Sequence, residues 1–117
     1  MPVFSTLIVN GQSVATKEIE ADGNLADVEF EYTPERSSWV ALRIFPAAHT
    51  NPVFVEVAGQ PIRPSQRSAQ WCLDAVDVCW KQKVGQIRVE ERTAAEAAYE
   101  TARQSYREIL AASYDDN

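Results

Sequence analysis

The chain changes its hydrophobic period once, at Pro64, and no other feature constrains the fold as tightly. Before that residue, apolar side chains recur at every second position; after it, they recur at every third and fourth. A period of two belongs to strands and a period of 3.6 to helices, so a β half should precede an α half. In the first half Leu7 and Val9 alternate with Thr6 and Ile8 until Asn10-Gly11 interrupts. Both residues of that pair tolerate positive φ, which predicts a type I′ hairpin with a return strand over about Gln12 to Ile19. Asp22-Gly23 marks a second turn. The alternation of LADVEFEY then predicts a half-buried strand from Val28, with an acidic wet face.

Residues 38–45, SWVALRIF, are apolar on both sides and predict a central strand covered on both faces. Arg43 is the exception and needs a carboxylate or an exit to solvent. VFVEV at 53–57 is another strand, and Ala58-Gly59 with Pro61 ends the β region. Beyond Pro64, residues Ala69, Cys72, Leu73, Val76, Cys79, Trp80 and Val84 form a helical stripe opposite Asp74, Asp77 and Lys81. Ser65 or Ser68 is the expected N-cap, and Gly85 should end the helix or lie just past its end. Thr93-Ala-Ala-Glu96 matches a capping box for a second helix, whose stripe runs through Ala95, Ala98, Tyr99, Ala102, Tyr106, Ile109 and Leu110. A short connection makes the two helices antiparallel. The fold class is therefore α+β: an antiparallel sheet or β-sandwich of about five strands, followed by a C-terminal helical hairpin. Cover for the double-sided strand would come from a second sheet or from a missing partner.

The 117 residues suit a single domain, with a β region over 1–62, a two-helix region over 63–114 and a frayed polar end, SYDDN, closing in a tail at 115–117. The β region carries three basic against eight acidic residues, and the rest carries eight against nine. Neither half is a basic stripe, so neither nucleic acid nor an anionic membrane surface is an expected partner. No apolar run approaches the roughly 20 residues that span a bilayer. The start MPVFSTLIVNGQ lacks the regions of a signal peptide, and it enters a strand pattern at once, as an excised domain would. The compartment stays open. Cys72 and Cys79, seven residues apart on one helix, would stand about 10 Å apart, too far for a disulfide, and are expected as buried thiols.

His49 is the only histidine. A hydrolytic metal centre needs about three protein ligands, and no H-x-H, H-x-x-x-H or C-x-x-C spacing is present. No G-x-S-x-G elbow supports a serine nucleophile either. His49 is therefore read as a strand-connection residue whose ring bonds nearby backbone, with Thr50 and Asn51 favouring local side-chain to backbone bonds and Pro52 holding Asn51 extended. Arg63 and Arg67 flank Ser65 at a helix start and could hold a phosphate or carboxylate, or simply pair with acidic neighbours. Trp39 and Trp80 fit a core. Trp71 stands one position off the main stripe, so it either widens that stripe or anchors an interface. Glu96, Glu100, Arg103 and Arg107 read as a salt-bridge lattice on the second helix.

Taken together, LIVNGQSVA, SSWVALRIFPAAHTNPVFVEVAGQPIR, SAQWCLDAVDVCW and AAYETARQSYREIL resemble the region that follows the catalytic domain in CehA/McbA-type metallohydrolases. These form a branch of the PHP (polymerase and histidinol phosphatase) superfamily. The resemblance covers about residues 5–111, and its most specific part is the ordered succession of W-V-A-L-R, H-T-N-P-V and the W-C…D…W helix. It implies a non-catalytic accessory C-terminal domain that binds no metal or cofactor of its own. The partner it implies is the missing upstream catalytic domain, which in the family carries the metal ligands. His49, Thr50 and Asn51 then become interdomain residues, with Arg43, Trp71, Arg63 and Arg67 as further contact or ligand candidates. Two other functions remain open. One is a carbohydrate- or small-ligand-binding module, which needs Tyr32, Trp39 or Trp71 facing solvent; the other is self-association through the helices.

Overall fold

The computed structural model describes residues 1–115; Asp116 and Asn117, the last residues of the expected tail, lie outside the described residues. The chain divides where its period changes, into a unit Met1–Ile62 and a second unit that begins at Arg63.

The first unit is one five-stranded antiparallel sheet. Its strands are β1 (Pro2–Val9), β2 (Gln12–Glu20), β3 (Ser38–Ile44), β4 (Ala48–His49) and β5 (Val53–Val55). β1 lies between β2 and β3, and the far edge of β3 is shared by β4 and β5. Asn10 and Gly11 take φ of 51° and 85°, the positive values that a type I′ hairpin requires. Asn10 does more than turn the chain. Its N–H donates to Trp39 O at 3.0 Å, its Oδ1 accepts from Trp39 N–H at 3.1 Å, and its Nδ2 donates to Ser38 Oγ at 3.2 Å. The hairpin tip is thereby stitched to the start of β3. On β2, Leu7 faces Ala15 while Ile8 faces Ser13, so Val14 is the extra residue of a bulge and points to solvent.

The β4–β5 edge is one strand interrupted at Thr50. Arg43 and Ile44 pair with β4, and Ser38, Trp39 and Val40 pair with β5. Thr50 fills the gap between them: its N–H donates to Leu42 O at 2.9 Å and its Oγ1 accepts from Leu42 N–H at 3.0 Å. The side-chain oxygen thus replaces a ladder carbonyl, as threonine next to an X-Pro pair can do. The closing turn is held by Ser37, which is 2% exposed. Its hydroxyl accepts from Val57 N–H at 2.8 Å and donates to Gln60 O at 2.6 Å.

One expectation for this unit needs correction. Residues 28–32 form no strand. Val28 and Phe30 are half-buried, but Ala26 and Val28 stand over a cavity lined by Ser5, Ile19, Leu42 and Ile44 rather than in a ladder. Lys17 fixes the segment from below, donating to Glu29 O and lying 5.2 Å from the Phe30 ring centroid. Period two records a chain with one apolar and one wet side, and a segment laid across a sheet face satisfies that as well as a paired strand does. Of the two architectures expected, sheet or sandwich, the described residues form the sheet, with five strands and the helical hairpin after it.

The second unit is a helical hairpin of α1 (Gln66–Lys83) and α2 (Arg92–Ala112), joined by two 3₁₀ turns over residues 84–91. Ser65 is the N-cap, its Oγ accepting from Ser68 N–H at 3.0 Å. The start of α1 and the end of α2 are tied together. Gln66 N–H donates to Tyr114 O and Tyr114 N–H donates to Arg63 O, both at 3.0 Å, so Ser113 and Tyr114 are not frayed. The capping box at Thr93 does not form: α2 begins at Arg92, with no side-chain cap. The preceding 3₁₀ turn takes over, because Glu91 N–H donates to Arg88 O and Arg92 N–H to Val89 O, satisfying the first orphan donors with backbone. The thiols also differ from expectation, Cys72 being half-buried and Cys79 exposed. A hairpin has only one shared seam, and Cys79 lies at its margin, where its Sγ meets Tyr99 Oη at 3.1 Å.

Both units bury little. Among the described residues, only Leu7, Ile8, Val9 and Ala69 are both apolar and buried. The accessible surface is 8916 Å², and the units taken one by one must expose at least that much. Two folded bodies of these lengths would together expose about 7,700 Å² by the usual size scaling. The surplus is on the order of 1,000 Å², comparable with what a specific interface buries.

Candidate functional site

Side chains alternate across a strand, so register determines which residues share a face. On one face of the sheet lie Ser5, Leu7, Val9, Val40, Leu42 and Ile44, several of them buried. On the other lie Ile8, Trp39, Ala41 and Arg43, joined through pairing by Phe54 opposite Trp39 and His49 opposite Arg43. Over this second face opens a cleft of about 540 Å³, lined by Ile8, Trp39, Ala41, Arg43, His49 and Phe54 together with Gly11 and residues 50–52.

Sequence dictates its shape in three ways. Trp39 is held by the Asn10 bonds at its backbone, and its ring lies against Gly11, 3.9 Å from where a Cβ would stand. Ala41 is small, so the middle of the floor is low. The Thr50 interruption separates β4 from β5 and leaves Asn51 and Pro52 as a wall.

The cleft is chemically two-ended. At one end the Trp39–Phe54 pair offers aromatic surface, with Phe54 68% exposed. At the other, Arg43 stands beside His49 and rests its guanidinium carbon 5.7 Å from the Phe45 ring centroid. Arg43 takes the exit to solvent and not a carboxylate: among the described residues it forms no ion pair. No Asp or Glu lines the cleft. His49 Nδ1 lies 3.0 Å from Thr50 O, a bond that a carbonyl can only accept, so Nδ1 carries the proton. The strand-corner reading of His49 fits this geometry. Among the described residues, no group of three His, Cys, Asp or Glu side chains is placed to hold a metal ion.

Four of the candidates named from the sequence, Arg43, His49, Thr50 and Asn51, therefore meet in one cleft. The other three, Arg63, Arg67 and Trp71, belong to the helical unit. Trp71 is 71% exposed. It rims a groove of about 450 Å³ with Cys72, Ala75, Val76 and Cys79 of α1 and Ala98, Tyr99, Ala102 and Tyr106 of α2. Charges beside this groove are spent within the unit. Arg103 donates to Asp77 at 2.7 Å and to Glu100 at 3.2 Å, and Arg107 donates to Glu100 at 2.9 Å. These cations, Arg107 first, hold the Glu100 carboxyl below its usual range, while Asp77 raises Arg103. Glu100 is thus the hub of the lattice. The Cys79 contact raises the Tyr99 hydroxyl.

Sequence reading missed Phe54, Ala41 and Gly11 as cleft residues. Phe54 enters through the pairing of β5 with β3, and Gly11 through the bonds that tie its turn to Trp39, neither of which a local pattern reveals. Ala41 is signalled by strand alternation with Trp39.

No family model, curated protein or solved structure matches the chain.

Proposed function

We propose that this chain is a non-catalytic accessory C-terminal region of a PHP-type metallohydrolase of the CehA/McbA kind. It acts through contact with the catalytic domain. One observation carries the reading: the sheet leaves an aromatic and apolar face uncovered, and Arg43, His49, Thr50 and Asn51 border that face. A double-sided strand such as β3 gains little from a solvated second face, and covering it removes apolar surface worth about 25 cal/mol per Å². The chemistry of hydrolysis then belongs to the partner, and this chain supplies cover and orientation.

Two measurements test it. Titrating the purified chain with a CehA/McbA-type catalytic domain that lacks its own C-terminal region should give a one-to-one complex in sedimentation, lost in Phe54→Glu. The isolated chain, given Zn²⁺ or Mn²⁺ with aryl esters and carbamates, should turn nothing over. Failure to form the complex, or turnover abolished by His49→Ala, overturns the proposal.

A second reading, a small-ligand-binding module, is favoured by the cleft itself. Its volume of about 540 Å³ falls within the roughly 300–1,000 Å³ of ligand sites, with apolar lining and few polar groups. Of the aromatics that this reading needs at the surface, Tyr32 and Trp71 are exposed and Trp39 is half-buried. Trp39 alone of the three lines the cleft.

A further inference from the structure

Resting on that second reading, we infer that the sheet cleft is selective for small amphipathic carboxylates, with Arg43 taking the carboxylate and Trp39 and Phe54 the apolar body. Three observations converge on this ligand class. Arg43 is unpaired among the described residues, although its unit holds eight carboxylates against three cations. Elsewhere in the chain, Arg103 and Arg107 are neutralised by acidic neighbours. An arginine left unpaired in an acidic unit, on an apolar floor without a lining carboxylate, is placed for an anion from outside.

The remaining polar groups narrow the chemistry. Thr50 Oγ1 is occupied by Leu42 N–H, and His49 Nδ1 by Thr50 O. What stays available at this end is the guanidinium fork of Arg43, with the Asn51 amide also lining the cleft and His49 Nε2 left as an acceptor by the proton on Nδ1. A planar fork matches a planar carboxylate with two parallel hydrogen bonds. The Phe45 ring under Arg43 holds the guanidinium by cation–π contact and limits the freedom it would lose on binding.

Length follows from the strand. Trp39, Ala41 and Arg43 stand on one face of β3, so aromatic and cationic ends are four residues, or about 13 Å, apart. Ala41 between them leaves room for an unbranched or flat body. The unit's net negative charge opposes an anion only at a distance. At the ionic strength of a cell that field is screened beyond about 8 Å, whereas the guanidinium acts in contact.

The test uses the full chain, with hexanoate, octanoate and decanoate as probes and the matching alkanols as neutral controls. Binding is followed by ¹H–¹⁵N shifts of the Trp39 indole and the β3 and β5 amides. Decanoate should bind saturably, about tenfold more tightly than decanol. Affinity should rise with chain length and fall with added salt. Arg43→Gln, at an exposed position that keeps the fold by circular dichroism, should abolish the preference for decanoate and leave decanol unchanged. Equal binding of acid and alcohol to the native chain would overturn the carboxylate assignment while the ligand-module reading survives. Absence of saturable shifts with every probe would overturn both.

Discussion

The sheet unit and the helical unit are both thinly packed, but they treat their charges in opposite ways. In the hairpin, Arg103 and Arg107 converge on Glu100, Arg103 also reaches Asp77, and the neighbouring groove is left apolar and uncharged. In the sheet, the hydroxyls and amides of Ser37, Asn10 and Thr50 are consumed in joining strands, while Arg43 is left over beside an aromatic cleft. Polar groups spent internally describe a scaffold. One left unspent on an apolar face describes a surface made to meet something. In the proposed reading the sheet cleft is the working surface and the hairpin its support.

The largest effect should come from the sheet's own scaffold. Ser37→Ala leaves Val57 N–H and Gln60 O without their partner in a buried site, which should cost about 2–3 kcal/mol in urea unfolding. A loss below about 0.5 kcal/mol would break the claim that these polar bonds hold the unit together. Next comes Ala41→Leu, which raises the cleft floor between the aromatic and cationic ends. It should weaken decanoate about tenfold with little change in stability, since the added side chain enters open space. Unchanged binding would place the ligand elsewhere. Trp71→Ser removes the most prominent side chain of the other groove, yet should alter stability by no more than about 0.5 kcal/mol and leave decanoate binding intact. A decanoate effect there would erase the contrast between the units.

The smallest effect concerns pH. Glu100 has its pKa lowered by Arg107 and Arg103, so its folded value lies below the unfolded one. Its contribution is complete above the ordinary glutamate value of 4.5 and fades as pH falls through the depressed folded value. Comparing the native chain with Glu100→Gln, the difference in thermal midpoint should be constant from neutral pH down to that range and shrink below it. A difference that grows on acidification has the wrong sign.

Much of this was legible in the residues, and the exceptions share a cause. Asn10-Gly11 announces its turn because only a few residue types accept two consecutive positive φ values, and Ser65 announces a helix start because its oxygen meets an orphan N–H. Both signals are local. Val28 and Phe30 misled because alternation specifies two sides and not a ladder partner. Thr93 misled because backbone of the 3₁₀ turn had already satisfied the donors its hydroxyl would have served. The cleft was half legible. Arg43 and the His49–Asn51 corner stand out in sequence, whereas Phe54 joins them only through its pairing with Trp39. Cys79 belongs to the same class of error: a stripe predicts a buried face, but a two-helix hairpin buries only the middle of it.

The most direct test is hydroxyl-radical footprinting of the chain, alone and with a CehA/McbA-type catalytic domain lacking its C-terminal region. Protection at Trp39 and Phe54, with Trp71 and Val78 as reactive as before, is the predicted result. Protection confined to Trp71 and Val78, or none at any of the four, would contradict an account that sets the working surface on the sheet.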